Sequence, residues 1–259
     1  MTLSLVQDLI GLLCGGLVGF SLGLVGGGGS ILAVPLMVYV VGLKDPHLAI
    51  GTSAAAVGVN ALVNLIPHAR RGSVVWSSAL IFAAAGVVGA AIGSTLGKAF
   101  DGGKLLVLFA GLMVVVGVLM LRPRPNESGG RPGLDAQRIG KLVLSGAATG
   151  ALSGFFGIGG GFLIVPALMA STGMPILYCV GTSLVSVAAF GLTTAVNYAR
   201  SGLVDWAAAA VFVVGGMAGG FGGVALAHRL AGARGALNRV FAGLIFVVAA
   251  YVLYRGLRL

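Results

Sequence analysis

Two glycine-rich decapeptides in this chain have the make-up of an oxyanion cradle. The first is Gly26-Gly27-Gly28-Gly29-Ser30-Ile31-Leu32-Ala33-Val34-Pro35. The second, 131 residues on, is Gly157-Ile158-Gly159-Gly160-Gly161-Phe162-Leu163-Ile164-Val165-Pro166. A glycine run removes side-chain packing and weakens a helix, so each decapeptide marks a place where an apolar helix opens. A helix that restarts after such a break presents unpaired backbone N–H groups carrying about half a positive charge. Restarts at Ser30 and Gly161 that converge, with Gly28, Gly29, Gly159 and Gly160 beside them, would hold an anion without burying an arginine.

Hydroxyls can complete such a shell as uncharged donors, and Gly51-Thr52-Ser53 and Gly181-Thr182-Ser183 supply four of them. The same residues suit a plain helix start, in which Thr or Ser caps N–H groups or bonds back to a carbonyl, and the sequence leaves both readings open. The amides Asn60, Asn64 and Asn197 lie in apolar runs and read as bonds between helices. Asn197, near the second Thr-Ser pair, is also a candidate substrate contact. Arg70 and Arg200 are read either as interfacial anchors, with Trp76 and Trp206 in the aromatic belt, or as a vestibule that draws anions inward. His68 joins that vestibule as a group titratable near neutral pH, although its counterpart in the second half is Tyr198.

Other chemistries lack their residues. All six acidic residues (Asp8, Asp45, Asp101, Glu127, Asp135, Asp205) fall in flanks or loops, whereas cation and proton pumps keep carboxylates at depth. His47, His68 and His228 are scattered, with no paired carboxylates and no HExxH spacing, so neither an enzyme nor a metal or other cofactor is expected. Cys14 and Cys179 read as small buried hydrophobes. The second glycine run partly matches GxGxxG, but no strand–helix unit surrounds it.

The elements that must position these residues are membrane helices. Hydrophobic residues make up 58% of the 259, charged residues only 8%, and the mean hydropathy is +1.08. Soluble domains carry about 25% charged residues. Eight stretches (9–42, 48–67, 74–97, 105–121, 142–173, 176–198, 206–227 and 240–254) contain no Asp, Glu, Lys or Arg. Six of the eight reach the length of roughly 20 residues that a spanning helix needs. The net charge of +10 is distributed singly or in small groups between these runs. That is a pattern of membrane anchors and excludes nucleic acid as a partner. Neither a cleaved signal peptide nor a lipid anchor is expected at the N-terminus.

The chain is also duplicated. Gly15, Gly19 and Gly23 recur as Gly146, Gly150 and Gly154; Ala69-Arg70 recurs as Ala199-Arg200; Trp76 recurs as Trp206; Ala85, Gly89 and Gly93 align with Gly215, Gly219 and Gly223. Glycines four apart share a helix face, so these series read as packing seams, with lining of a pathway as the alternative. The expected fold is therefore an all-α polytopic membrane protein of two pseudo-symmetric repeats, about four helical segments each, with glycine-broken helices at the repeat interface. The repeats cover 1–121 and 142–259, and the Pro- and Gly-rich segment 122–141 is a cytoplasmic linker. If 9–42 makes one net crossing the repeats are parallel; if it folds back as a hairpin they are inverted. The distribution of Lys and Arg is the same either way.

The duplicated Gly-rich…Val-Pro element, each copy followed by Gly-Thr-Ser and then Ala-Arg-x-Gly, resembles the sulfite exporter TauE/SafE family over nearly the whole chain. The resemblance implies a carrier in a bacterial or archaeal inner membrane, moving sulfite, organosulfonates or related sulfur-containing anions. It implies that the glycine segments, the Gly-Thr-Ser segments and the nearby amides line the pathway. The expected partners are that small anion and the lipid bilayer, and a homo-oligomer is left open. An anion channel and a membrane assembly or partner protein are the alternative functions.

Overall fold

The computed structural model describes residues 5–121, 135–157, 161–230 and 236–256, and these residues form helices and turns with no strand. In order, the helices are α1 (Leu5–Val25), α2 (Ala33–Leu36), α3 (Pro46–Arg70), α4 (Trp76–Lys98), α5 (Gly102–Leu121), α6 (Ala136–Phe156), α7 (Gly161–Thr172), α8 (Ile176–Ala199), α9 (Trp206–Leu230) and α10 (Ala236–Gly256). Six described stretches are long and apolar enough to cross a membrane: Val6–Val41, Pro46–Arg70, Trp76–Lys98, Ala136–Phe156, Ile176–Ala199 and Trp206–Leu230. Most of the segment expected as a linker (122–134) lies outside the described residues, and its last part (136–141) already belongs to α6.

The scarce acids have a shared structural use. Asp45, Asp101, Asp135 and Asp205 precede α3, α5, α6 and α9, and their carboxylates accept from His47 N (2.8 Å), Lys104 N (2.9 Å), Arg138 N (2.8 Å) and Ala208 N (3.0 Å). Asp8 sits in the first turn of α1. A carboxylate satisfies the orphan N–H groups at a helix start and complements the dipole there. The spans themselves need no acid.

The segment following α1 is a hairpin. A Cβ on Gly29 would strike the backbone of Ser21 and Leu22, residues that a continuous helix would leave about 10 Å behind. The reversal uses Gly26, whose φ of +63° is open to glycine and strained for other residues. In the second half Gly157 takes φ +67°, and Ser145 and Ser171 meet at 2.9 Å, so α7 also folds back along α6. Among the described residues, Gly42 and Gly173, and Gly72 and Gly202, are the other positive-φ glycines, again in pairs at the repeat spacing.

Helices α3 and α8 form the centre and run antiparallel. Near the start of α3, Gly51 lies against Leu203, which follows the end of α8; near the start of α8, Gly181 lies against Ser73, which follows the end of α3. Around this pair the halves exchange partners: α1 packs along α9, and α6 along α4. Gly15, Gly19 and Gly23 face the carbonyls of Phe212, Gly216 and Gly220, while Gly146, Gly150 and Gly154 face those of Phe82, Gly86 and Ala90. A methyl group at any of the six would collide with the facing carbonyl. Without side chains the backbones approach closely, and dispersion between them holds helices together where lipid is as apolar as leucine. The glycine series are packing seams.

Candidate anion site

The two glycine segments meet in the interior. Gly27 lies against Gly161 so closely that a Cβ on either would fall on the other's main chain. Gly26 carries the chain onto α8, where a side chain would strike Val180 O and Ser183 Oγ. The N–H of Gly27 donates to Ser183 Oγ at 3.0 Å, joining the first glycine segment to the Gly-Thr-Ser segment of the other half. Gly28, Gly29 and Ser30 are buried in the same turn. Gly161 opens α7; Gly159 and Gly160 lie outside the described residues.

The break in the first half differs in form from the expected helix restart at Ser30. The chain runs as a tight 3₁₀ helix over Gly26–Leu32, becomes α-helical only over Ala33–Leu36, and widens to a π turn over Met37–Val41. Four glycines give the segment little helix propensity, and Ser30 Oγ donates back to Gly27 O at 2.8 Å, holding the tight turn. Ser53 and Ser183 likewise donate to carbonyls three residues back, Ile50 O at 3.0 Å and Val180 O at 2.7 Å. In this state all three serine protons face carbonyls, and an anion would engage them only after the hydroxyls rotate.

The two threonines are each joined to the loop of the opposite half. Thr52 Oγ1 accepts from Asp205 N at 2.9 Å, and Thr182 Oγ1 accepts from Val75 N at 3.0 Å. Each therefore pins the turn that leaves its antiparallel partner helix. Both hydroxyls are fully buried.

Asn197 stands apart from this centre. It lies fourteen residues beyond Ser183 on α8, about 21 Å along the helix. Its Nδ2 donates to Ser94 Oγ (2.6 Å) and Thr95 Oγ1 (2.9 Å), and its Oδ1 accepts from Lys98 Nζ (2.7 Å), so it bridges α8 to α4. Lys98 also donates to Ser201 Oγ at 2.9 Å. A groove of about 490 Å³ runs past Asn197 to Arg200 between these helices, floored by Ala91, Leu192 and Val196. Lys98 was missed in the sequence; its position matches His228 in the repeat, and that paired basic character was the available signal.

The residues assigned to one vestibule are divided between two ends of the bundle. Arg70 closes α3 and Arg200 follows α8, so the antiparallel pairing puts the exposed guanidinium groups on opposite sides. His68 is fully buried, its Nε2 facing Gly23 O at 3.0 Å and its Nδ1 facing Ser73 Oγ at 2.9 Å. Its ring lies 5.4 Å from that of His228. At the corresponding place in the other half, Lys98 Nζ lies 5.9 Å from the ring of Tyr198. The two ends thus carry different chemistry on matching positions. Among the described residues no group of three His, Cys, Asp or Glu gathers to hold a metal, and both cysteines are buried free thiols.

Comparison with known proteins finds membrane transporters similar to this chain. The family model described as sulfite exporter TauE/SafE matches residues 11–252. A probable membrane transporter protein of Xylella fastidiosa (strain Temecula1) is 54% identical over 243 residues, covering 93% of each chain. The probable membrane transporter protein YunE of Bacillus subtilis is 28% identical over 228 residues, covering 80% of this chain and 84% of its own. A probable membrane transporter protein of Haemophilus influenzae is 29% identical over 203 residues, covering 75% and 74%. No solved structure matches the chain significantly.

Proposed function

The chain belongs to the sulfite exporter TauE/SafE family, and from that premise we propose that this membrane transporter is a secondary carrier or facilitator exporting a small sulfur-containing anion through the inner membrane. The observation that carries the reading is the meeting of Gly27 and Gly161, with the Gly27 N–H on Ser183. Irregular backbone is tolerated at membrane depth only where it is buried in protein or lines a watery cavity. Two breaks that touch beside a buried row of Ser and Thr are a place to strip water from an oxyanion and replace it with N–H and O–H donors. In this reading Gly28, Gly29, Ser30, Thr52, Ser53, Gly159, Gly160, Gly161, Thr182 and Ser183 form the binding region, and Asn197, Arg70, Arg200 and His68 act at its approaches.

Residues 1–121 and 142–259 act as two repeats joined by a cytoplasmic linker. The antiparallel α3 and α8 and the hairpin after α1 support the inverted arrangement, which suits alternating access around a central site. An inside-negative membrane contributes about 2.3 kcal/mol per charge per 100 mV toward expelling an anion, so export needs no coupling ion.

The test is thermal stabilisation of the purified protein by sulfite, thiosulfate, sulfate, taurine, sulfoacetate and chloride at fixed pH and ionic strength. A ligand at a hundred times its dissociation constant should add about 2.7 kcal/mol. A selective shift with one sulfur anion, lost in Ser183→Ala, is expected. The shift on adding ligand is compared, because the substitution itself removes the partner of Gly27. A flat response across the panel would sink the proposal.

A further inference from the structure

Helix α3 carries three polar side chains at four-residue spacing, Asn60, Asn64 and His68, all at most 1% exposed. Residues four apart share a helix face. That face is turned toward the α1–α9 seam: a methyl group on Gly216 would fall on the amide of Asn60, one on Gly220 on the amide of Asn64, and His68 bonds Gly23 O. Asn64 Nδ2 donates within its own helix, to Asn60 O at 2.9 Å. Asn60 is different, since neither its Nδ2 nor its Oδ1 has a hydrogen-bond partner among the described residues. The cross-helix bond expected of it from the sequence is not made.

The corresponding positions on α8 are Phe190, Thr194 and Tyr198, and Phe190 stacks on Phe82 with ring centroids 6.3 Å apart. The α3 face is therefore amide and imidazole, whereas the α8 face combines two aromatic rings with the buried hydroxyls of Thr194 and Tyr198, which likewise have no partner among the described residues. Buried amides keep partners as a rule, and one without a partner calls for an explanation, of which a partner supplied in another state is one. Its two N–H donors suit the oxygens of an anion. The face also ends at Gly23, three residues before the turn that brings Gly27 to Ser183.

We propose that the Asn60–Asn64–His68 face of α3, closed in this state against Gly216, Gly220 and Gly23, is a substrate-conducting surface, and that Asn60 binds the anion when α3 parts from the α1–α9 pair. This inference rests on the transport reading above, and its test separates the two. Asn60→Leu keeps the number and branching of the side-chain heavy atoms and removes an amide without a protein partner, and Asn60→Ala removes it without adding bulk, so at least one of the two should melt close to the parent. Sulfite efflux from proteoliposomes should nevertheless fall about tenfold, as for one lost charge-assisted hydrogen bond. Unchanged efflux in that variant overturns the proposal.

A second arm needs no substrate. With Cys14 and Cys179 replaced by Ser, Asn60→Cys and Ala54→Cys are exposed to a small anionic methanethiosulfonate in membranes. Ala54 is equally buried but faces α8, where its carbonyl meets Gly191. Asn60→Cys should react and Ala54→Cys should stay protected; equal protection of both overturns the surface. If no sulfur anion shifts the parent protein's melting, the substrate assignment fails on its own and the labelling result still decides the surface.

Discussion

Gly27 and Gly161 touch main chain to main chain, one from each glycine segment, with no room for a Cβ on either. Gly161→Ala should therefore lower stability by about 1–3 kcal/mol through overpacking. Gly111→Ala is the control, since nothing lies within 4 Å of a Cβ there and alanine favours a helix. Thermal melts of the two variants should diverge in opposite directions. Equal melting would mean that the two segments are free to move apart.

Thr182→Val should destabilise the protein as well as weaken transport. The substitution leaves Val75 N buried without its acceptor, a loss of about 1–3 kcal/mol. Thr52→Val should do the same to Asp205 N, and Thr→Ser at either position should recover most of the stability. Transport lost at an unchanged melting point would mean that the hydroxyls serve the anion and not the turns.

Asn197→Leu should loosen the join between α4 and α8. It removes the bonds to Ser94 and Thr95 and the shortest of three acceptors of Lys98 Nζ, and one hydrogen bond to a charged group is worth about 1.5–3 kcal/mol. A double-mutant cycle with Lys98→Met should show the two substitutions to be non-additive. Additivity would mean that the clip holds nothing.

Arg70→Cys and Arg200→Cys should be labelled from opposite sides of the membrane by an impermeant maleimide. Both side chains are exposed at opposite ends of an antiparallel pair. Labelling from one side would overturn the inverted arrangement.

The helices, the seams and the glycine breaks were legible in the sequence because each follows from local composition. A charge-free run longer than twenty residues has few fates, and glycines spaced by four declare a face. The positions of Thr52 and Thr182 were legible too, but not their hydrogen bonds. A buried hydroxyl can serve a backbone N–H or a ligand, and the loop that it serves lies 107 residues away for Thr182 and 153 for Thr52. Asn197 reads as close to Ser183 because both lie in one apolar run; fourteen helical residues put them far apart. Arg70 and Arg200 seemed to share a vestibule because the motifs matched. Antiparallel packing of matched helices sends matched residues to opposite ends, and only three-dimensional contacts show it.

The exchange of partners between halves also has a consequence for biosynthesis. The face of α1 bearing Gly15, Gly19 and Gly23 is completed only by α9, and Gly19 waits roughly 200 residues for Gly216 to be made, a non-local closure of the kind that slows folding. Helix α4 finds α6 much sooner. During synthesis the nascent chain thus carries an open glycine face in the bilayer until almost the last helix arrives, and neither half, expressed alone, would hold the glycine-seam partner of its own first helix.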